Sequence, residues 1–141
     1  MKTFPLYLLV IVVAMLSLNS CALDEEIDIP GGSTDAVSKY LGSWSVTDNT
    51  DNEPDLKLNY EVNIDRNSSN SSMVILRNFA GSGANADGLV VSNSLIVEDQ
   101  LIGAGWRVAG TGKYINENKL SFTYTLEIGG NVENRVASFS R

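Results

Sequence analysis

Few side chains in this sequence could carry out acid–base or nucleophilic chemistry. Its 141 residues include no histidine and one cysteine, Cys21. Histidine-based triads and the common zinc sites therefore lack their residues. Carboxylate pairs remain, at Asp48/Asp51, Glu98/Asp99 and Glu127/Glu133. All of them fall at predicted turns or on polar strand faces, where carboxylates cap or solubilise, so we expect no catalytic residue and no enzymatic activity.

Metal and phosphate sites are also not expected. The segment from Asp48 to Glu53 is rich in oxygen ligands, but it lacks the spacing and the glycine of an EF-hand loop and is better explained as a polar turn. Three Gly-x-Gly pairs, beginning at Gly81, Gly103 and Gly110, do not extend to a phosphate-binding motif. We therefore expect no metal and no cofactor.

The N-terminus has the pattern of a secretory signal peptide. Lys2 is followed by a 12-residue apolar run at 5–16 and then by small polar residues. A spanning helix needs about 20 apolar residues, so an uncleaved membrane anchor is the weaker alternative. We expect residues 1–20 to be removed from the mature protein.

The only cysteine follows this segment directly. The stretch LNSC, Leu18 to Cys21, resembles the bacterial lipobox: an aliphatic residue, two mostly small residues and a cysteine. The resemblance implies that Cys21 receives a diacylglyceryl group and becomes the new N-terminus. A lone cysteine cannot form a disulfide within its own chain, and two or more acyl chains hold a protein stably on a membrane. We therefore expect the membrane to be a partner, through lipidated Cys21.

An acidic segment at 21–34 separates Cys21 from the folded domain. It contains Asp24, Glu25, Glu26 and Asp28 and ends in Pro30-Gly31-Gly32, a composition typical of a solvated tether. An acidic tract in this position resembles the surface-export signal of lipoproteins from some anaerobic Gram-negative bacteria. Ala22 resembles the residue that permits transport to the outer membrane. The resemblance implies a lipid anchor in the outer membrane, facing the cell surface.

The net charge restricts the partners. Residues 1–20 contain Lys2 as their one charged residue, so 9 basic and 17 acidic residues remain, a net charge of −8. Nucleic acid binding needs Lys and Arg opposite the phosphates. We expect no nucleic acid partner.

Residues 35–141 are predicted to form one all-β domain that follows a short helical turn ending near Gly42. Segments 56–65 and 119–128 alternate apolar and polar residues, as half-buried strands do. Weaker strands are predicted at 43–48, 72–79, 88–92, 94–99, 105–114 and 132–141. Short turns join them, which favours an eight-stranded antiparallel up-and-down β-barrel over a two-sheet sandwich. Gly110 and Gly112 are expected to let bulky neighbours approach the strand that contains them.

The stretch YLGSWSV, at 40–46, resembles the start of the first strand in lipocalins, where Gly-x-Trp follows a short helix. Gly42 and Trp44 match that motif. In this family an arginine near the last strand stacks on the tryptophan and closes the barrel. Arg141 matches best, and Arg135 is the alternative. The layout is more closely similar to small lipocalin-like lipoproteins of anaerobic Gram-negative bacteria.

Binding is the remaining function. Trp106 and Arg107 begin a predicted strand after Gly103-Ala104-Gly105, which places them at one end of the barrel. An aromatic beside a cation at a barrel mouth can grip a sugar or a peptide, whereas a tryptophan that caps the core is the plainer alternative. We expect a lipid-anchored envelope protein that binds an unknown small molecule, glycan or lipid. The alternative is a barrel filled by its own side chains that docks another envelope protein.

Overall fold

The computed structural model describes residues 35–51, 53 and 55–141. The described residues begin at Asp35, the predicted start of the domain. Outside them lie the predicted signal peptide (1–20), the predicted lipidation of Cys21 and the predicted acidic tether (21–34). Two 3₁₀ turns are present, the first at Ser38–Tyr40 and the second at Phe79–Gly81. The strands are β1 (Gly42–Thr50), β2 (Lys57–Arg66), β3 (Met73–Arg77), β4 (Asn85–Val91), β5 (Ser94–Ile102), β6 (Trp106–Asn116), β7 (Lys119–Ile128) and β8 (Asn131–Ser140).

These eight strands form a closed barrel. Each strand pairs antiparallel with the next one in the chain, and β8 returns to pair with β1. The prediction of an all-β, eight-stranded, antiparallel up-and-down barrel after a short helical turn is confirmed. Because the barrel closes, each of these eight strands pairs with two neighbours and none is an edge strand, whereas the rejected sandwich would have had several.

Four strands extend by two or more residues beyond their predicted ends. β1 continues to Thr50, β4 begins at Asn85, β5 continues to Ile102 and β6 continues to Asn116, through residues that were predicted to form turns. Pairing of β1 with β2 and β8, of β4 with β3, of β5 with β6 and of β6 with β7 outweighs the turn preference of Asn, Asp and Gly in these segments. Between β4 and β5 the Gln100 side chain takes the place of a paired backbone residue. Its Oε1 accepts from the Asp87 N–H and its Nε2 donates to the Asp87 carbonyl, both at 2.8 Å.

The barrel has two distinct ends. The first 3₁₀ turn lies at one end, which we call the turn end, where β1 begins and the chain finishes at Arg141. The opposite end, which we call the mouth, is formed by the ends of β1, β3, β5 and β7 and their connections. The second 3₁₀ turn belongs to the mouth, and its Phe79 is buried against Phe122 and Tyr124, with ring centroids 5.7 and 5.1 Å apart.

Side chains fill the interior between these ends. The largest fully buried ones are Trp44, Tyr40, Phe79, Phe122 and Phe139. A filled interior is what an eight-stranded barrel of this size allows. No helix among the described residues is long and apolar enough to span a membrane.

The prediction of the buried face of β2 is only partly correct. The alternation in β2 predicts that every second residue from Leu56 is buried. Val62 and Ile64 are buried, as predicted. Leu56 and Leu58, however, are 49% and 38% exposed. They lie at the mouth, where β2 begins.

Candidate ligand-binding site

The turn end is closed by an arginine and a tryptophan. The guanidinium carbon of Arg141 lies 4.0 Å from the centroid of the Trp44 ring. Arg141 also donates through Nη1 to the Leu41 carbonyl at 2.7 Å and through Nε to the Glu117 carbonyl at 2.6 Å. A guanidinium plane over an indole adds a cation–π attraction to these hydrogen bonds. Gly42 lies beside this contact with a φ of +107°, a conformation that favours glycine.

Trp106 and Arg107 point to opposite faces of β6. Trp106 is half-buried, packs against the core and lines a cavity at the mouth. Arg107 is exposed on the outer surface, where its Nε is 2.8 Å from an Asp99 carboxylate oxygen. Successive residues of a strand alternate between faces, so these two cannot act on one ligand inside the mouth.

The cation at the mouth is Arg135, and its partner is Asp48. Asp48 is 0% exposed and Arg135 is 8% exposed. The expectation that Asp48 belongs to a polar turn is wrong: it follows Trp44 and Val46 on the inward face of β1. Arg135 lies on the inward face of β8, near the mouth rather than near Trp44.

A single carboxylate oxygen organises this cluster. Oδ2 of Asp48 accepts hydrogen bonds from the Tyr60 hydroxyl at 3.0 Å, from Arg135 Nη1 at 3.2 Å, and from the Tyr124 hydroxyl. Arg135 also donates through Nε and Nη2 to one Glu133 oxygen, at 3.1 and 2.8 Å. Two carboxylates thus share one buried guanidinium. We refer to these five residues as the mouth cluster.

Burial keeps the two tyrosines of the mouth cluster protonated. It is the largest cause that raises the pKa of Tyr124 and of Tyr60 far above the usual range, and the negative charge of Asp48 raises both further. For Arg135, burial acts to lower the pKa, but the hydrogen bond to Glu133 and the charge of Asp48 outweigh it and raise the pKa. At neutral pH the hydroxyls therefore remain donors and the guanidinium remains charged.

The mouth cluster retains unused hydrogen-bonding capacity. Oδ1 of Asp48 is buried and, within the described ranges, has no hydrogen-bond partner. A guanidinium carries five N–H groups. Those of Arg135 make three hydrogen bonds to carboxylates among the described residues. Two N–H groups of Arg135 are thus unused among the described residues, whereas Asp48 Oδ1 is an unmet acceptor with almost no exposed surface.

A cavity of about 250 Å³ adjoins the mouth cluster. Tyr60 and Arg135 form part of its wall, so the Asp48 carboxylate that they share lies directly behind that wall. The cavity is also lined by Trp106 at the start of β6, by Leu58 and Asn59 near the start of β2, and by Ala80 and Gly81 of the second 3₁₀ turn. Apolar surface and polar groups therefore meet in one small concavity, as in small-molecule sites.

Sequence reasoning selected Trp106 but missed the polar partners beside it. One signal was available: Asp48 is the last residue of the strand predicted at 43–48 and has the same parity as Trp44 and Val46, which places its charge inside the barrel. Among the described residues, no group of three or more His, Cys, Asp or Glu side chains is arranged to hold a metal ion.

The fold and the mouth define a small closed up-and-down β-barrel with a cavity at one end that is lined by both apolar and polar side chains. The chain matches no protein-family model and no curated protein sequence. Solved structures do share its fold. The redesigned β-barrel b11L5F_LGL has a TM-score of 0.58 at 15% identity, covering 76% of this chain and 95% of its own.

Two further solved barrels are described as bound to DFHBI. The redesigned β-barrel mFAP1 has a TM-score of 0.58 at 12% identity, covering 77% of this chain and 100% of its own. The barrel EF1p2_mFAP2b has a TM-score of 0.56 at 9% identity, covering 76% of this chain and 97% of its own. At these identities the likeness establishes the barrel fold alone.

Proposed function

We propose that this chain is a lipid-anchored protein of the outer membrane whose lipocalin-like barrel binds a small molecule at its mouth, without catalysis. The mouth cavity carries the proposal. It combines an indole, the apolar side chain of Leu58 and a guanidinium with unused N–H groups in a space of about 250 Å³. The two DFHBI-bound neighbours are compatible with a barrel of this size accepting a small ligand.

Replacing Cys21 with serine tests the anchor. Serine has no thiol to lipidate, so we expect the Cys21→Ser chain to move from the membrane fraction to the soluble fraction of lysed cells. Ser20→Ala, which leaves the cysteine in place, is the matched control and should stay with the membranes. Equal membrane association of Cys21→Ser and the unsubstituted chain would show that Cys21 does not anchor the protein.

Tryptophan resonances test the binding site. The chain has two tryptophans, and the Trp44 indole N–H is buried in a hydrogen bond to the Tyr40 carbonyl at 2.8 Å. Full-length chain labelled with ¹⁵N-tryptophan, in a detergent without a sugar head group, would be titrated with glucose, galactose, N-acetylglucosamine, choline, benzoate and DFHBI. We expect at least one probe to shift the Trp106 indole signal saturably while the Trp44 signal stays fixed. If none does, the mouth is not a small-molecule site.

A second candidate is protein docking at the same end of the barrel. Large apolar side chains are exposed around the mouth, at Leu56, Leu58, Leu101, Ile128 and Val132. Together with a filled interior, they favour an interaction module if no small probe binds. The titration separates the two functions, because small-molecule binding requires a saturable change at Trp106.

A further inference from the structure

We infer that the outer wall of the barrel carries a docking site for an arginine side chain of a partner protein. This inference goes beyond the proposed function and concerns a different surface. A cavity of about 280 Å³ opens on the outer face of β3, β4 and β5 and shares no lining residue with the mouth cavity. Three apolar side chains, two carboxylates and two amides line it.

The three apolar side chains form a row across the strands. Met73 of β3 pairs with Leu89 of β4, which pairs with Ile96 of β5. Their neighbours in the chain are buried in the interior, so these three side chains point outward. Each of them is only half-buried. The apolar row therefore stays in contact with water until another surface covers it.

Two carboxylates adjoin the apolar row. Asp87 and Glu98 lie two residues farther along β4 and β5, on the same outer face, and both are exposed. The Gln100 side chain links their backbones, because its Nε2 donates to the Asp87 carbonyl at 2.8 Å and to the Glu98 carbonyl at 3.2 Å. Both negative charges thus border one cavity.

These two charges have no internal counter-charge. None of the five ion pairs between described residues includes Asp87 or Glu98. Two other acids of the outer wall do have arginine partners, in the pairs Asp65–Arg77 and Asp99–Arg107. A cation from outside can therefore approach both carboxylates without displacing a partner, and the net charge of −7 attracts it at longer range.

An arginine side chain matches the apolar row and the carboxylates together. Its aliphatic stem can pack on the apolar row while its charged head stays at the rim. The N–H groups of a guanidinium form a rigid planar fork that can serve two carboxylates at once. The ammonium of lysine is a compact, strongly hydrated charge, so we expect it to bind more weakly. Both carboxylates would repel an acidic side chain.

The size of the cavity favours a side chain of a protein over a free ligand. At about 280 Å³, it is smaller than the roughly 300–1,000 Å³ of small-molecule sites. Arginine is among the residues that most often anchor protein interfaces, where a side chain fills a pocket and the surfaces around it exclude water. The occupant is therefore a segment of a partner protein with an exposed arginine.

The Met73 methyl group provides a direct test, because it lines the cavity and belongs to the only methionine among the described residues. The full-length chain, labelled with ¹³C-methyl methionine and ¹⁵N-tryptophan, would be titrated with acetyl-Ser-Gly-Arg-Gly-Ser-amide, and Met73→Leu identifies the signal. We expect a saturable shift of the Met73 signal with no change at Trp106. The same peptide with citrulline, a neutral urea of matching shape, should bind about fivefold more weakly, since two exposed ion pairs are lost. The lysine peptide should fall between them.

Protein variants test the same contact. The double variant Asp87→Asn/Glu98→Gln removes both charges with little change in volume and should weaken arginine-peptide binding about fivefold. Glu61→Gln/Glu117→Gln removes two exposed carboxylates elsewhere and gives the same net charge, so this matched control should bind like the unsubstituted chain. Circular dichroism verifies that each variant is folded. If the first variant does not fold, the citrulline peptide still tests the inference.

Each remaining outcome would overturn the docking site. Equal affinity for the arginine and citrulline peptides would show that the carboxylates play no part. An equal loss in both double variants would indicate attraction by the overall charge instead of a site. A Met73 signal that the arginine peptide does not move, with or without a shift at Trp106, would show that the cavity holds no arginine. The small probes at Trp106 test the proposed function separately.

Discussion

Replacing Arg135 with alanine is expected to lower the free energy of unfolding by about 3–5 kcal/mol. The variant leaves Asp48 buried, with two neutral hydroxyls as donors but no positive charge beside it. Breaking one side of a buried ion pair costs this much because it leaves a buried charge without a counter-charge. Urea denaturation of the full-length chain, followed by circular dichroism, measures the change.

The outer pair Arg107–Asp99 provides the matched control. Its side chains are 46% and 59% exposed, and exposed ion pairs contribute no more than about 1 kcal/mol. Arg107→Ala should therefore change stability little. The double variant Asp48→Asn/Arg135→Met should recover part of the loss of Arg135→Ala, since it also removes the stranded charge. If Arg135→Ala and Arg107→Ala lower the free energy of unfolding by the same amount, the buried ion pair of Arg135 and Asp48 does not stabilise the fold as its geometry indicates.

Replacing Gly110 with alanine is expected to lower the free energy of unfolding by about 3 kcal/mol, at the upper end of what overpacking costs. A Cβ at this position would lie 2.5 Å from the Thr123 carbonyl oxygen and 2.6 Å from Tyr124 Cα. Both are backbone atoms of β7, held in place because Gly110 pairs with Tyr124. Side-chain rotation cannot relieve the overlap, so the strands must separate. Thermal and urea denaturation would both report the loss.

Two other substitutions in β6 separate this effect from general damage to the strand. Thr111→Ala alters the exposed outer face and should cost less than about 1 kcal/mol. Gly112→Ala would instead place its Cβ against the Phe122 ring, a side chain. Adding Phe122→Leu should therefore recover part of the stability lost in Gly112→Ala. A Gly110→Ala variant as stable as Thr111→Ala would contradict the close approach of β6 and β7.

These contacts confirm the role predicted for Gly110 and Gly112, which is to let bulky neighbours approach their strand. This role could be predicted from local sequence patterns. The two glycines share the parity of Trp106 and Val108, so they had to face the same side as the bulky residues of the next strand. The same kind of local reasoning yielded the number of strands and the antiparallel closure, since alternation and turn composition depend on residues only a few positions apart.

Local sequence patterns did not decide which arginine contacts Trp44. Arg141 was the best match for the contact with Trp44, and Arg135 was the alternative because the sequence leaves the parity of the last strand open. The pairing of β8 with β1 aligns Arg135 with Thr50 at the mouth and Ser140 with Ser45 at the turn end. That register places Arg141, and not Arg135, over the indole.

The amino-acid sequence by itself determined an eight-stranded barrel and a tryptophan at one end, because burial on alternate positions is a property of each strand alone. Only the tertiary structure decided that Asp48 is a buried acceptor. Its partners Tyr60, Tyr124 and Arg135 are 12, 76 and 87 residues away in the chain. A carboxylate in a segment rich in Asp and Asn predicts a solvated turn until barrel closure brings a cation and two hydroxyls around it. Those long-range contacts make its burial tolerable and create the mouth cluster.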